Sequence, residues 1–235
     1  MGNDFFRLEN KDYDLPFLNN DPRFTTKNVI ILLIGFVISC AAPFLIPFTG
    51  TMIIKAIIIT GASLTAVLIV FKDNLSNIFR MITLRDILLV IIGVVLMIAL
   101  SIISSYIVHA LGFHMFSDKA VSGDRILFLI RLAIQLIGEE LIKFIPLVII
   151  SAYLYKSVGR KTAIIIGVII AQLMFSIFHI PAYGINALPT LLISIGFASV
   201  VLPLMYVKTK NIVVCYLIHI IFDIFGALPF LFGIT

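Results

Sequence analysis

Five side chains carry the chemistry this sequence offers: Glu139, Glu140, His179, His219 and Asp223. All five sit in long apolar runs. An ionisable group inside a bilayer costs about 2.5–3.5 kcal/mol on insertion scales, so each one asks for a function. A carboxylate can deprotonate water. A histidine can ligate a metal or hydrogen-bond an oxyanion. A bound divalent metal would bring the pKa of its water down to about 7. Together these groups suit hydrolysis of a peptide bond. No HExxH zinc motif and no GxSxG nucleophile elbow are present. Cys40 and Cys215 lie in apolar runs without CxxC spacing, so they offer neither a disulfide framework nor a redox pair.

The spacing gathers these residues into stripes. Arg131, Gln135, Glu139 and Lys143 are four apart and share a helix face. Glu140 is adjacent to that stripe. Lys143 follows Glu139 in the favourable i,i+4 order, so these two are expected to pair. Gln172, Ser176 and His179 form a second stripe, and Cys215, His219 and Asp223 a third. Lipid satisfies none of them, so the three faces should enclose one polar cavity. A structural ion-pair network is the plain alternative for the first stripe alone. Two adjacent carboxylates at mid-membrane exceed what packing needs.

The elements holding these stripes must cross a membrane. The chain has 235 residues, 61% hydrophobic and 12% charged, with a mean hydropathy of +1.19. Soluble domains carry about twice that share of charge. The reading is an all-α, polytopic transmembrane helical bundle of about seven helices, with an eighth segment left open. Spans are placed at Asn28–Phe48, Thr51–Phe71, Asp86–Ala110, Ile126–Tyr153, Thr162–Ile180, Leu188–Val207 and Asn211–Gly226. Residues 1–27 form a polar N-terminal tail, and 28–235 a single transmembrane domain. The first apolar run starts only at Asn28, which does not suit a cleavable signal peptide. Asn74–Arg85 is a candidate amphipathic surface helix.

Net charge is +5, but no basic patch interleaved with aromatics offers a surface to nucleic acid. The basic residues occupy alternate loops: Lys72, Arg80 and Arg85, then Lys156, Arg160 and Lys161, then Lys208 and Lys210. The other connections hold only Lys119 and Arg125, balanced by Asp118 and Asp124. The positive-inside rule then puts the N-terminus in the cytoplasm and the C-terminus outside.

Three short motifs resemble a known family. Glu139-Glu140 on one helix, Phe175 to His179 on the next and His219 to Asp223 on the last match the order of EExxxR, FxxxH and HxxxN/D. These are the motifs of the CAAX-protease and bacteriocin-processing family, also called Abi or CPBP. The resemblance covers about 125–226. It implies an intramembrane endopeptidase, commonly called a metalloprotease. Glu139 would be the general base, with Glu140 supporting it. His179 and His219 would position water, stabilise the oxyanion or ligate a metal, and Asp223 would orient His219 or line the water site. Phe175, Lys143 and Arg131 would support the site. A divalent metal such as zinc is the candidate cofactor, with His179, His219, Glu139 and Asp223 as candidate ligands. The motif arginine is replaced by Phe144; Lys143 or Arg131 would supply the cation instead.

The expected partner is a membrane-associated peptide or protein substrate in the lipid bilayer, and no nucleic acid. The resemblance offers prenylated CAAX proteins, pheromone or bacteriocin precursors, and bacteriocins met in self-immunity. A chain rich in Ile, Lys and Asn suits a bacterial plasma membrane and favours peptide processing. The alternatives are a non-catalytic protein of the same fold, acting in immunity or binding a partner, and a proton-coupled transporter.

Overall fold

A computed structural model describes residues 7–18, 21–46, 52–114 and 124–234. Among these every regular element is helical and no strand occurs. The elements are α1 (Thr26–Leu45), α2 (Met52–Val70), α3 (Leu84–Ala110), α4 (Arg125–Val158), α5 (Arg160–Phe178) and α6 (Ile180–Tyr183). A further segment, Ile185–Thr209, contains α7 (Leu188–Leu191), a π-helical turn at Leu192–Phe197 and α8 (Val201–Thr209). Then follow α9 (Ile212–Gly226) and α10 (Leu228–Phe232).

Five of these segments are long and apolar enough to cross a bilayer: α1, α2, α3, Arg160–Tyr183 and Ile185–Thr209. Between and after them stand α4, which carries the charged stripe, and the shorter apolar α9. The chain is thus an integral membrane protein, a polytopic helical bundle with five such segments among the described residues. The helix ends fall within a few residues of the sequence reading. Phe48 and Thr51, at expected span ends, and Asp118 and Lys119 lie outside the described residues.

The helix starts follow local chemistry. The first amides of a helix lack intrahelical partners and are satisfied by side-chain caps. Asp124 Oδ1 accepts from the backbone N–H of both Ile126 and Leu127 at 2.9 Å, which starts α4. Thr83 and Asp86 form a reciprocal capping box at α3. Asn211 Oδ1 accepts from Val213 N–H at 3.1 Å and starts α9. Asn74–Arg85 does not form the surface helix its composition suggested: one 3-10 turn, Leu75–Asn77, is helical before α3. Arg80 is drawn instead into the bundle's end, where its guanidinium donates to the backbone carbonyls of Thr209 and Lys210.

Packing places α4 at the centre, against α1, α2, α5 and α9. Gly138 permits the α2 contact, since a Cβ there would lie 2.9 Å from the Thr60 Cα. Beside it, Thr60 Oγ1 donates to the Ile134 carbonyl at 2.6 Å. α4 and α5 form an antiparallel hairpin about Gly159, whose φ of 79° suits glycine. Glu139 and His179 are equidistant in sequence from Gly159, so the hairpin brings them to one level. The span does not end at His179. It resumes at Ile180 as α6, with Pro181 in its first turn, and runs to Tyr183.

The face bearing the N-terminal segment is knitted across long sequence separations. Glu9 is buried and binds Arg160 through two hydrogen bonds of 2.8 and 2.6 Å. It also accepts from Lys210 Nζ at 2.8 Å. Leu15, Phe17 and Leu18 are buried beside it, and the Phe17 ring meets Phe71 at 5.3 Å. Residues 7–18 are therefore a layer of the bundle.

Candidate active site

Three helices bring the site together. α4 supplies Glu139 and Glu140, α9 supplies His219 and Asp223, and His179 caps α5. Successive residues on a helix point about 100° apart, so the two glutamates face different surroundings. Glu139 lines a cavity of about 380 Å³ with His179, His219, Asp223, Gln135 and Arg131. Glu140 does not line it. It lies behind, between α4 and α9.

That rear position orients His219. Glu140 Oε1 lies 2.6 Å from His219 Nδ1 and 2.6 Å from Lys143 Nζ. An ionised carboxylate accepts only, so Nδ1 carries a hydrogen and donates. His219 Nε2 is thereby turned to the cavity, 3.9 Å from Glu139 Oε2 and 3.9 Å from Asp223 Oδ1. Gln135 Nε2 donates to Glu139 Oε1 at 2.6 Å, leaving Oε2 facing the histidine. On α5, His179 Nδ1 lies 2.9 Å from the Phe175 carbonyl. A carbonyl cannot donate, so this nitrogen is protonated too, and Nε2 remains for other contacts.

Phe175 is the wedge between these groups. It is buried, with its ring centroid 4.7 Å from the ring of His179 and 6.3 Å from that of His219. Lys143 Nζ lies 4.1 Å from its centroid, a cation–π distance. The FxxxH spacing therefore sets both histidines and the cation, through one ring.

Some expected partners differ. Lys143 pairs with Glu140 at i,i+3, not with Glu139. Both carboxylates are within helical reach; Glu139 Oε1 accepts from Gln135, and Glu140 Oε1 receives both Lys143 and His219. Lys143 thus places a cation beside Glu140. Phe144, in the arginine's position, is buried against Phe71 and Tyr206. The stripes also divide. Gln172 donates to the carbonyl of Gly196 at 3.0 Å and Ser176 to that of Gln172 at 3.0 Å. The first of these fastens α5 to the π turn. Cys215 lies against the Leu202 carbonyl of α8. Among the second and third stripes, His179, His219 and Asp223 reach the cavity. Arg131 lies over the Phe128 ring at 5.1 Å and lines it as well.

The cavity wall also carries a lysine that lies outside both the motifs and the polar stripes. Lys55 of α2 is 4% exposed and lines the wall. A lysine inside an otherwise apolar run is costly in lipid, and that was the available signal.

A metal was tested against these positions. Tetrahedral zinc with bonds of about 2.0–2.2 Å holds its ligand atoms roughly 3.3–3.5 Å apart. Glu139 Oε2 and Asp223 Oδ1 each stand 3.9 Å from His219 Nε2. Among the described residues, no group of three or more His, Cys, Asp or Glu side chains is placed to hold a metal ion. The four candidate ligands do not fit one as arranged. A water with hydrogen bonds of about 2.7–3.0 Å bridges such a gap readily.

Residues 122–225 match the family model described as Rce1-like, type II CAAX prenyl endopeptidase. No curated protein matches the chain, and no solved structure does.

Proposed function

We propose, from the match of residues 122–225 to the Rce1-like type II CAAX prenyl endopeptidase model, a family of intramembrane endopeptidases, that this chain cleaves a membrane-associated peptide by glutamate-activated water. The observation that carries the reading is the pairing across α4 and α9. Glu140 fixes His219 from behind, and His219 Nε2 faces Glu139 Oε2 at a separation that one water spans.

In this reading the water sits between Glu139 Oε2 and His219 Nε2. Glu139 takes a proton as the water oxygen attacks the scissile carbonyl carbon. Gln135 holds the other carboxylate oxygen, so the basic one stays aimed. His219, held through Nδ1–H on Glu140, directs Nε2 at the water. His179 directs Nε2 into the same cavity, where it helps position the water and the scissile carbonyl. The proton on Glu139 then passes to the leaving amide nitrogen as the carbon–nitrogen bond breaks. Burial strengthens each of these interactions by excluding water. Asp223, at the more exposed edge, completes the water site.

The non-catalytic alternative rests on the replacement of the motif arginine by Phe144; the Lys143–Glu140 ion pair, which places a cation beside one of the two acids, supports the catalytic reading. Substrate preference, whether pheromone or bacteriocin precursor or prenylated CAAX protein, is a matter for the assay. The test is cleavage of quenched-fluorescent precursor peptides by the purified protein in liposomes. Glu139→Gln is expected to lower the rate by about 10²–10⁴-fold, the range for removing a positioned base. A folded Glu139→Gln variant that cleaves at the wild-type rate refutes the reading.

A further inference from the structure

The cavity reaches towards one end of the bundle, the side on which it would open. Its lining there comes from the end of α1 (Pro43), the starts of α2 and α4 (Met52, Phe128), the segment after α5 (Tyr183) and the end of α9 (Gly226). Each lies at the helix end opposite the N-terminal layer. That layer collects the start of α5 (Arg160), the turn between α8 and α9 (Lys210) and the loop after α2 (Arg80), joined through Glu9 and the Thr209 carbonyl. The cavity and the N-terminal layer thus occupy opposite ends of the bundle. On α4, Arg131 to Glu139 is eight residues, or about 12 Å of helix at 1.5 Å per residue. Glu139 therefore stands about 12 Å deeper along α4 than Arg131.

The charges are divided unequally between these ends. Of the 17 Lys and Arg residues, Lys55, Arg131 and Lys143 lie within helices. Lys119 and Arg125 belong to the connection on the cavity side. All the others belong to the N-terminal segment or to the loops and helix ends of its face. Basic residues in short loops stay cytoplasmic, and acidic residues count for little in that rule. Each cation near an anionic leaflet also adds about 1 kcal/mol to the same preference.

We infer that the cavity opens to the extracytoplasmic side, and that the substrate is an exported polypeptide whose scissile bond lies within the outer leaflet. The substrate half rests on the endopeptidase reading; the topology half does not. A translocation step must precede cleavage. A prenylated protein held on the cytoplasmic leaflet cannot reach this mouth.

Thiol labelling in intact cells tests the orientation. In a Cys40→Ala, Cys215→Ala background, three positions are probed with a membrane-impermeant maleimide before and after permeabilisation. Leu111→Cys reports the mouth-side face, where Leu111 is 59% exposed. Gly226→Cys reports the rim, where a Cβ meets nothing within 4 Å. Lys72→Cys, at a side chain 74% exposed, reports the opposite face. The expected result is full labelling of the first two in intact cells, with Lys72→Cys labelled at least tenfold more after permeabilisation. The reverse pattern, or equal labelling of all three, overturns the inference. So does a Gly226→Cys that stays silent in both conditions while Leu111→Cys reacts outside. If the cysteine-free chain does not accumulate, alkaline phosphatase fused after Thr235 should be active, and inactivity overturns the orientation. Glu139→Gln should label like wild type. Lost orientation and lost catalysis therefore fail separately.

Discussion

Glu140 Oε1 accepts a hydrogen bond from His219 Nδ1 at 2.6 Å, joining α4 to α9 behind the cavity. The same oxygen lies 2.6 Å from the ammonium of Lys143, and all three side chains are buried. The pair therefore does two things. It orients the histidine, and it balances a cation that lipid-facing packing could not hold.

Glu140→Gln should separate these roles. It removes the negative charge while leaving a carbonyl oxygen for His219. Breaking one partner of a buried ion pair costs about 3–5 kcal/mol, because the other charge is left uncompensated. Thermal unfolding in detergent should show that loss. Cleavage should fall by about 10²–10⁴-fold, as when a histidine loses its orienting carboxylate. The double variant Glu140→Leu, Lys143→Met should recover most of the stability and none of the activity. Recovery of both would mean that the pair only holds the helices together.

This site was partly legible in the sequence, and the division has physical causes. Helical periodicity placed Glu139 and Arg131 on one stripe and His219 and Asp223 on another, and all four line the cavity. Periodicity could not choose between the two partners in reach of Lys143, since residues three and four apart are both neighbours on a helix. In the structure Lys143 meets Glu140, which His219 of α9 also meets. The depth of His179 was illegible for a similar reason. It depends on where the α4–α5 hairpin turns at Gly159 and on the span resuming at Ile180, not on the apolar run. The apolar helices of the bundle followed from run length, and five of them are long enough to span a bilayer. The burial of Glu9 against Arg160 and Lys210 did not, because those partners are far apart in the chain and a polar tail reads as solvated.

Restoring the family's arginine should not restore anything. Phe144 is buried, with ring centroids 5.8 Å from Phe71 and 5.1 Å from Tyr206. Phe144→Arg would put a charge into that aromatic cluster, while Glu140 already has Lys143. The expected outcome is a loss of about 3 kcal/mol or more, the range for an uncompensated buried charge. The cleavage rate per folded molecule should not rise. Phe144→Leu, a smaller change, should cost about 1–2 kcal/mol through lost packing. A faster Phe144→Arg enzyme would show that Lys143 fills the cation's role incompletely.

The N-terminal layer predicts a pH dependence of stability with two limbs. Burial pushes the Glu9 carboxyl up, but the Arg160 and Lys210 hydrogen bonds outweigh it and hold the group below its ordinary value of 4.5. The folded protein thus gives up the Glu9 proton more readily than the unfolded chain. Its stabilisation is present at neutral pH and disappears as pH falls through the ordinary carboxylate range. Lys210 runs the other way. Burial pushes its ammonium down to about 8, against the pull of Glu9. Between about 8 and the ordinary lysine value near 10.4, the unfolded chain binds more protons, so stability should rise with pH there. Thermal unfolding from pH 3 to 10 checks both. Glu9→Gln should flatten the acid limb and lower stability at pH 7, and Lys210→Met should remove the alkaline rise. Unchanged limbs in both variants would put the pH dependence elsewhere.

Metal removal is the last discriminating measurement. Glu139 Oε2 and Asp223 Oδ1 stand 3.9 Å from His219 Nε2, wider than a tetrahedral zinc site sets its ligands. His179 is held through Nδ1 by the Phe175 carbonyl. That contact caps α5 and anchors the ring from the helix side. Drawing the four side chains onto one ion would require His219 to shift, and its Nδ1 is tied to Glu140. The expected outcome is that EDTA or 1,10-phenanthroline leaves the liposome cleavage rate within about twofold of the untreated protein, where a lost Lewis acid would forfeit several kcal/mol of barrier lowering. Elemental analysis of the purified protein should find less than one zinc per chain. Loss of cleavage on chelation, restored by added zinc and absent in His219→Ala, would establish a metal and overturn the glutamate–water arrangement.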